Sequence, residues 1–84
     1  VLLYSISSGF LFQTVNIVLT MKNTIKVERA KKNWTQADLA DKIGVSRQAV
    51  NSIETGKFVP SMVLALKMAK VFGTTVELLF QLED

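Results

Sequence analysis

Four hydrogen-bonding side chains crowd into the segment RQAVNSI: Arg47, Gln48, Asn51 and Ser52. On a helix this spacing puts them on the outward side, while Ala49, Val50 and Ile53 face inward. Side chains of these types can read base edges. Arg pairs with guanine O6 and N7, and Gln or Asn with adenine N6 and N7, each pairing being worth about 1–3 kcal/mol of discrimination. Arg47 and Gln48 occupy the N-terminal half of the helix, the end that a groove-reading helix presents to bases, and Asn51 and Ser52 follow one turn later on the same side. Competing chemistry is thin. The 84 residues include neither Cys nor His, so thiolate metal sites are excluded and the commonest general base and metal ligand are missing. No nucleophile–base pair, phosphate loop or metal cluster stands out. The expectation is therefore no enzyme, no cofactor and no metal.

A reading helix needs a second helix to hold it. Thr35 to Lys57, TQADLADKIGVSRQAVNSIETGK, predicts both. The first runs from Gln36 to Ile43 and the second from Arg47 to Ile53. Thr35 with Asp38 three residues on resembles a capping box. Ala37, Leu39, Ala40 and Ile43 give an inward face, Gly44 stops the first helix, Val45 plugs the turn, and Ser46 caps the second. Two helices across a short Gly-containing turn form a helix-turn-helix pattern.

Around this pair the chain predicts three more helices. Thr24 to Lys32 is capped by Asn23 or Thr24 and stopped by Asn33, with Val27, Ala30 and Trp34 as an apolar stripe. Trp34 is expected as a core anchor at the corner of the first two helices. Met62 to Phe72 follows Pro60 and the cap Ser61, with Leu64, Ala65, Met68, Ala69 and Phe72 inward, and ends at Gly73. Val76 to Phe80, capped by Thr74 or Thr75, closes the bundle.

Charge supports a polyanionic partner. The net charge is +3, and Lys22 to Lys57 holds eight basic residues against four acidic ones. Bland alternatives stand beside the sharp ones. Gln36 can simply sit exposed at a helix start, Lys57 can be one more solvated Lys, and Arg47 can pair with a neighbouring acid.

Residues 1 to 20, VLLYSISSGFLFQTVNIVLT, carry no charge and differ in composition from the rest of the chain. Three readings compete. The segment can be a β-hairpin, Leu2 to Ile6 and Phe10 to Val15 about a Ser7-Ser8-Gly9 turn, whose edges a self-associating dimer would cover. It can be a membrane or signal segment, although polar residues dilute it and no basic start precedes it. It can also be non-native upstream sequence ahead of a start at Met21. The expected division is 1–20 as an extension and 21–84 as the domain.

Residues 22 to 80 resemble the Cro/C1-type (XRE-like) helix-turn-helix family. The carrying motifs are Trp34-Thr35-Gln36 with Leu39-Ala40, Ile43-Gly44-Val45-Ser46-Arg47-Gln48, Ile53-Glu54-Thr55-Gly56-Lys57, Pro60-Ser61, and Val76-Glu77-Leu78-Leu79-Phe80. The resemblance implies an all-α, compact five-helix lambda-repressor-like bundle whose third helix reads DNA. It implies base-reading positions at Arg47, Gln48, Asn51 and Ser52. Gln36, Ser46 and Lys57 would contact phosphate, with Gln36 also bracing a side chain of the third helix. Arg29 and Glu54 would form an interior ion pair tying the first helix to the third. The function expected is a sequence-specific double-stranded DNA-binding transcriptional regulator, a repressor, acting as a homodimer on a two-fold operator in the cytoplasm. The alternative is an antitoxin-like or coactivator-like module whose partner is a toxin or the transcription machinery.

Overall fold

The computed structural model describes residues 21–83. The expectations for residues 1 to 20, hairpin, membrane segment or upstream extension, lie outside the described residues. Seven elements run in order: β1 (Met21–Asn23), α1 (Ile25–Lys32), α2 (Gln36–Ile43), α3 (Arg47–Glu54), α4 (Met62–Phe72), α5 (Val76–Leu79) and β2 (Phe80–Leu82). The five helices form the expected bundle.

Local chemistry sets most of the boundaries. The Thr35 hydroxyl accepts from the Asp38 N–H at 3.0 Å and the Asp38 carboxylate accepts from the Thr35 N–H at 2.9 Å, a complete capping box at the start of α2. The Asp38 carboxyl is held below the usual carboxylate range, chiefly by that Thr35 N–H. Ser46, Ser61 and Thr75 cap α3, α4 and α5 through the N–H groups of Ala49, Leu64 and Leu78. At the turn between α2 and α3, Gly44 adopts φ 76°, and its N–H and that of Val45 both return to the Ala40 carbonyl. A Cβ there would meet nothing within 4 Å, so the left-handed backbone, not space, calls for glycine. Asn33 makes the same turn after α1 at φ 58°.

Ile25, Leu39, Val50, Ile53, Met68 and Leu79 are the largest fully buried side chains, so every helix contributes to one core. Val45 and Trp34 pack on its margin. Trp34 is half-buried, its ring stacked on Phe72 at 5.5 Å between centroids, with the Lys42 ammonium 4.6 Å from the ring centroid on the outside.

Three details differ from expectation. Val27 and Ala30 are exposed, and so is Ala37. An eight-residue helix at the surface buries a narrow stripe, and α1 buries Ile25 alone. Phe80 leaves the last helix and begins β2. A two-stranded antiparallel ribbon pairs β1 with β2, Met21 opposite Leu82 and Asn23 opposite Phe80. It fastens the two ends of the described chain together, helped by the Thr24 N–H on the Leu79 carbonyl at 3.0 Å. No helix among the described residues is long and apolar enough to cross a membrane.

Candidate nucleic-acid interface

Helix α3 is held from beneath by Val50 and Ile53, both buried, and by half-buried Ala49. Arg47, Gln48 and Asn51 stand in solvent, and Ser52 is half-buried beside them. Ser46, Gln48, Ala49, Ser52, Lys57 and Phe58 line a shallow depression at one flank of the helix. The loop that closes this depression is tied to α3 by its backbone. The N–H groups of Lys57 and Phe58 both donate to the Ser52 carbonyl, at 2.9 and 3.2 Å.

Because the Ser46 oxygen accepts from the Ala49 N–H, its own hydroxyl proton remains to donate outward. There is no acid in the first turn of α3, so the positive end of the helix is not neutralised from within. Lys57 is exposed on the far side of the same depression.

The other flank of α3 carries a connected set of polar side chains. Arg29 on α1 donates to both carboxylate oxygens of Glu54 on α3, Nε to Oε2 and Nη2 to Oε1 at 3.1 Å, a bidentate pair with side chains 13% and 7% exposed. A third bond runs from Arg29 Nη1 to the Trp34 carbonyl at 2.8 Å. The hydrogen bond to Glu54 raises the guanidinium above its ordinary value against the opposing effect of burial. Gln36, first residue of α2, donates from Nε2 to Glu54 Oε1 and to Asn51 Oδ1, both at 3.1 Å. Arg47 Nη1 donates to Gln36 Oε1 at 3.4 Å. The structure thus joins Arg29, Glu54, Gln36, Asn51 and Arg47 in one network, while Ser46, Gln48, Ser52 and Lys57 group around the depression.

Asn23 does more than cap a helix. Its Oδ1 accepts from the Ile25 N–H at 3.1 Å, and its Nδ2 donates to the Ile53 carbonyl at 3.0 Å. One side chain therefore caps α1 and satisfies the C-terminal end of α3. Its type marks it as a cap in the sequence, but its second partner lies 30 residues away and leaves no local sign.

Comparison with known proteins places this geometry. A family profile described as helix-turn-helix matches residues 25–79. The chain is 55% identical over 64 residues to an uncharacterized HTH-type transcriptional regulator of Methanocaldococcus jannaschii, covering 76% of this chain and 97% of that protein. It is 45% identical over 64 residues to the uncharacterized HTH-type transcriptional regulator YgzD of Bacillus subtilis, with the same coverage of both. Among solved structures, a Bacteroides fragilis protein assigned to DNA binding superposes with a TM-score of 0.65 at 30% identity, covering 73% of this chain and 98% of that one. A matched profile over most of the domain, relatives matched almost end to end, and a third helix held in this way lead to one family: the chain belongs to the Cro/C1-type (XRE-like) helix-turn-helix transcriptional regulators.

Proposed function

We propose that this regulator binds a two-fold double-stranded operator as a homodimer, inserts α3 into the major groove, and represses transcription in the cytoplasm. Arg47, Gln48, Asn51 and Ser52 face base edges. Gln36, Ser46 and Lys57 hold the phosphate backbone, and the Arg29–Glu54 pair keeps α3 in place. The observation that carries the reading is the outer face of α3. It is polar along its whole length and held on one flank by Gln36, so it meets a groove with its donors already placed. The basic excess from Lys22 to Lys57 supports a polyanionic partner. The exposed apolar side chains Met62, Val63 and Leu66 on α4 support association with a second subunit. Pairing two readers adds their contacts across successive major grooves.

Selection of bound duplexes from a random pool tests the reading directly. A two-fold motif is expected, with affinity falling as salt rises. Arg47→Ala and Gln48→Ala should each change base preference; unchanged preference in both rejects the recognition-helix assignment. A reporter with the selected operator across its promoter should lose expression when the protein is present, and raised expression would mark an activator.

A further inference from the structure

The side chain of Asn23 reaches from β1 to the C-terminal end of α3. Both ends of its amide are committed to backbone groups, so the amide has one orientation. The Ile25 N–H can only donate, and Oδ1 accepts from it at 3.1 Å. The Ile53 and Glu54 carbonyls can only accept, and Nδ2 donates to them at 3.0 and 3.4 Å. The strand that carries Asn23 is itself anchored. Asn23 lies opposite Phe80 in the ribbon, and Phe80 and the preceding Leu79 are buried in the core.

Those two carbonyls end α3, where the loop carrying Lys57 is built. The Asn51 carbonyl accepts from the Thr55 N–H and hydroxyl, the Ser52 carbonyl from the Lys57 and Phe58 N–H groups, and the Ile53 carbonyl from the Gly56 N–H at 3.1 Å. Asn23 adds a bond from another element, 30 positions away in the chain. β1 also backs the loop by contact, since a Cβ on Gly56 would lie 3.9 Å from the Met21 carbonyl oxygen. Thr55, Gly56, Lys57, Phe58 and Val59 are all exposed, so hydrogen bonds rather than burial keep this loop in place. A Lys on a loop that is already held meets a phosphate without the cost of ordering the loop on binding.

We propose that Asn23 is a positioning residue for DNA binding, holding the Lys57 loop where a phosphate of the operator passes. The inference rests on α3 being the DNA-reading helix and on Lys57 being a phosphate contact. Arg47 and Gln48 stand at the opposite end of α3, so base preference does not depend on Asn23.

Asn23→Ser separates the two jobs of this side chain. Ser still caps α1 but is too short to reach the carbonyls of α3. Affinity is measured with the full chain and a selected operator, at a temperature where circular dichroism shows every variant folded. Asn23→Ser should weaken binding about three- to ten-fold for all sequences alike. A double-mutant cycle then locates the effect. In a Lys57→Ala background no contact is left to position, and Asn23→Ser should change affinity by less than about two-fold. In Arg47→Ala and Gln36→Ala backgrounds its full factor should return. Asn23→Asp keeps the length and the cap but sets an acceptor against the carbonyls, and it should repeat the pattern. Asn23→Ala loses the cap as well, so it should unfold at lower urea than Asn23→Ser and yet bind DNA no more weakly. Native affinity in either Asn23→Ser or Asn23→Asp overturns the proposal. So does an equal factor in all three backgrounds, the mark of a residue that only stabilises the fold, or coupling to Gln36 or Arg47 in place of Lys57. Each of these leaves α3 as a DNA reader. Native affinity in Lys57→Ala removes the phosphate contact, and a pool with no enriched sequence removes the reading of α3; either result takes this inference with it.

Discussion

Helix α3 turns Val50 and Ile53 inward and leaves Arg47, Gln48 and Asn51 in water. Helix α4 turns Ala65, Met68, Ala69 and Phe72 inward and leaves Met62, Val63 and Leu66 more than half exposed. Inside, both obey the same rule, apolar residues recurring at helical spacing. Outside, they differ in kind. A polar outer face costs the unbound protein nothing in water and suits a hydrated, charged partner. Neighbouring exposed apolar side chains lose by staying in water and gain by being covered. The inward faces hold the fold, and the outward faces carry what distinguishes one helix from the other.

The comparison breaks most sharply on stability. Ile53 is 1% exposed, so Ile53→Ala should cost about 2–4 kcal/mol in urea unfolding, whereas Leu66→Ala on the open face of α4 should cost less than about 0.5. Equal costs would mean that Leu66 is packed in solution. Glu54→Ala comes next. It strands the Arg29 guanidinium at the edge of the core, and a loss of about 2–3 kcal/mol is expected, below that of a fully enclosed pair. The open Glu28–Lys31 pair on α1 gives the control, since Lys31→Ala should change stability by at most about 0.5 kcal/mol.

Binding sharpens the contrast further. Arg47→Ala should weaken operator binding about ten-fold without moving the unfolding midpoint. Lys57→Ala should weaken all sequences alike and reduce the salt slope by about one. Leu66→Glu should leave the single chain folded yet lower its sedimentation mass and its operator affinity together. A native mass and native affinity in that variant would remove α4 from the proposed association. The smallest effect is local to α2. Thr35 holds the Asp38 carboxyl below its unfolded value, so its contribution is present above the ordinary carboxylate range and is lost as pH falls through the lowered folded value. The stability gap between the native chain and Asp38→Ala should therefore close on acidification, and a gap independent of pH would deny the capping role.

Much of this is legible in the residues because the deciding interactions are local. Thr35, Ser46, Ser61 and Thr75 cap helices through N–H groups three positions ahead, and Gly44, Gly73 and Asn33 end them through their own backbone. Type and spacing are enough to find such signals. The ribbon of β1 and β2 is not legible. Each strand has three residues, too few for alternation to register, and their pairing joins residues about sixty positions apart. Val27, Ala30 and Ala37 mislead because an apolar residue at helical spacing marks a side of a helix, not how wide a stripe its neighbours cover. At the candidate interface, residue types suggest base reading, and the family likeness supplies the proposed positions. The direction of each amide is a three-dimensional fact, since Gln36, Asn51, Glu54 and Arg29 come from three different helices.

The short ribbon also shapes the chain as a whole object. With Met21 opposite Leu82, the described polypeptide is almost a closed loop. In a chain trimmed to residues 21–82 both ends would lie side by side, so two fused passengers would compete for the same space. A linker of a few residues would join these ends, and the loop could then be reopened at exposed Val59, between α3 and α4, to give a circular permutant. In that rearranged chain the helix-turn-helix unit would lie at the new C-terminal end with every helix uncut.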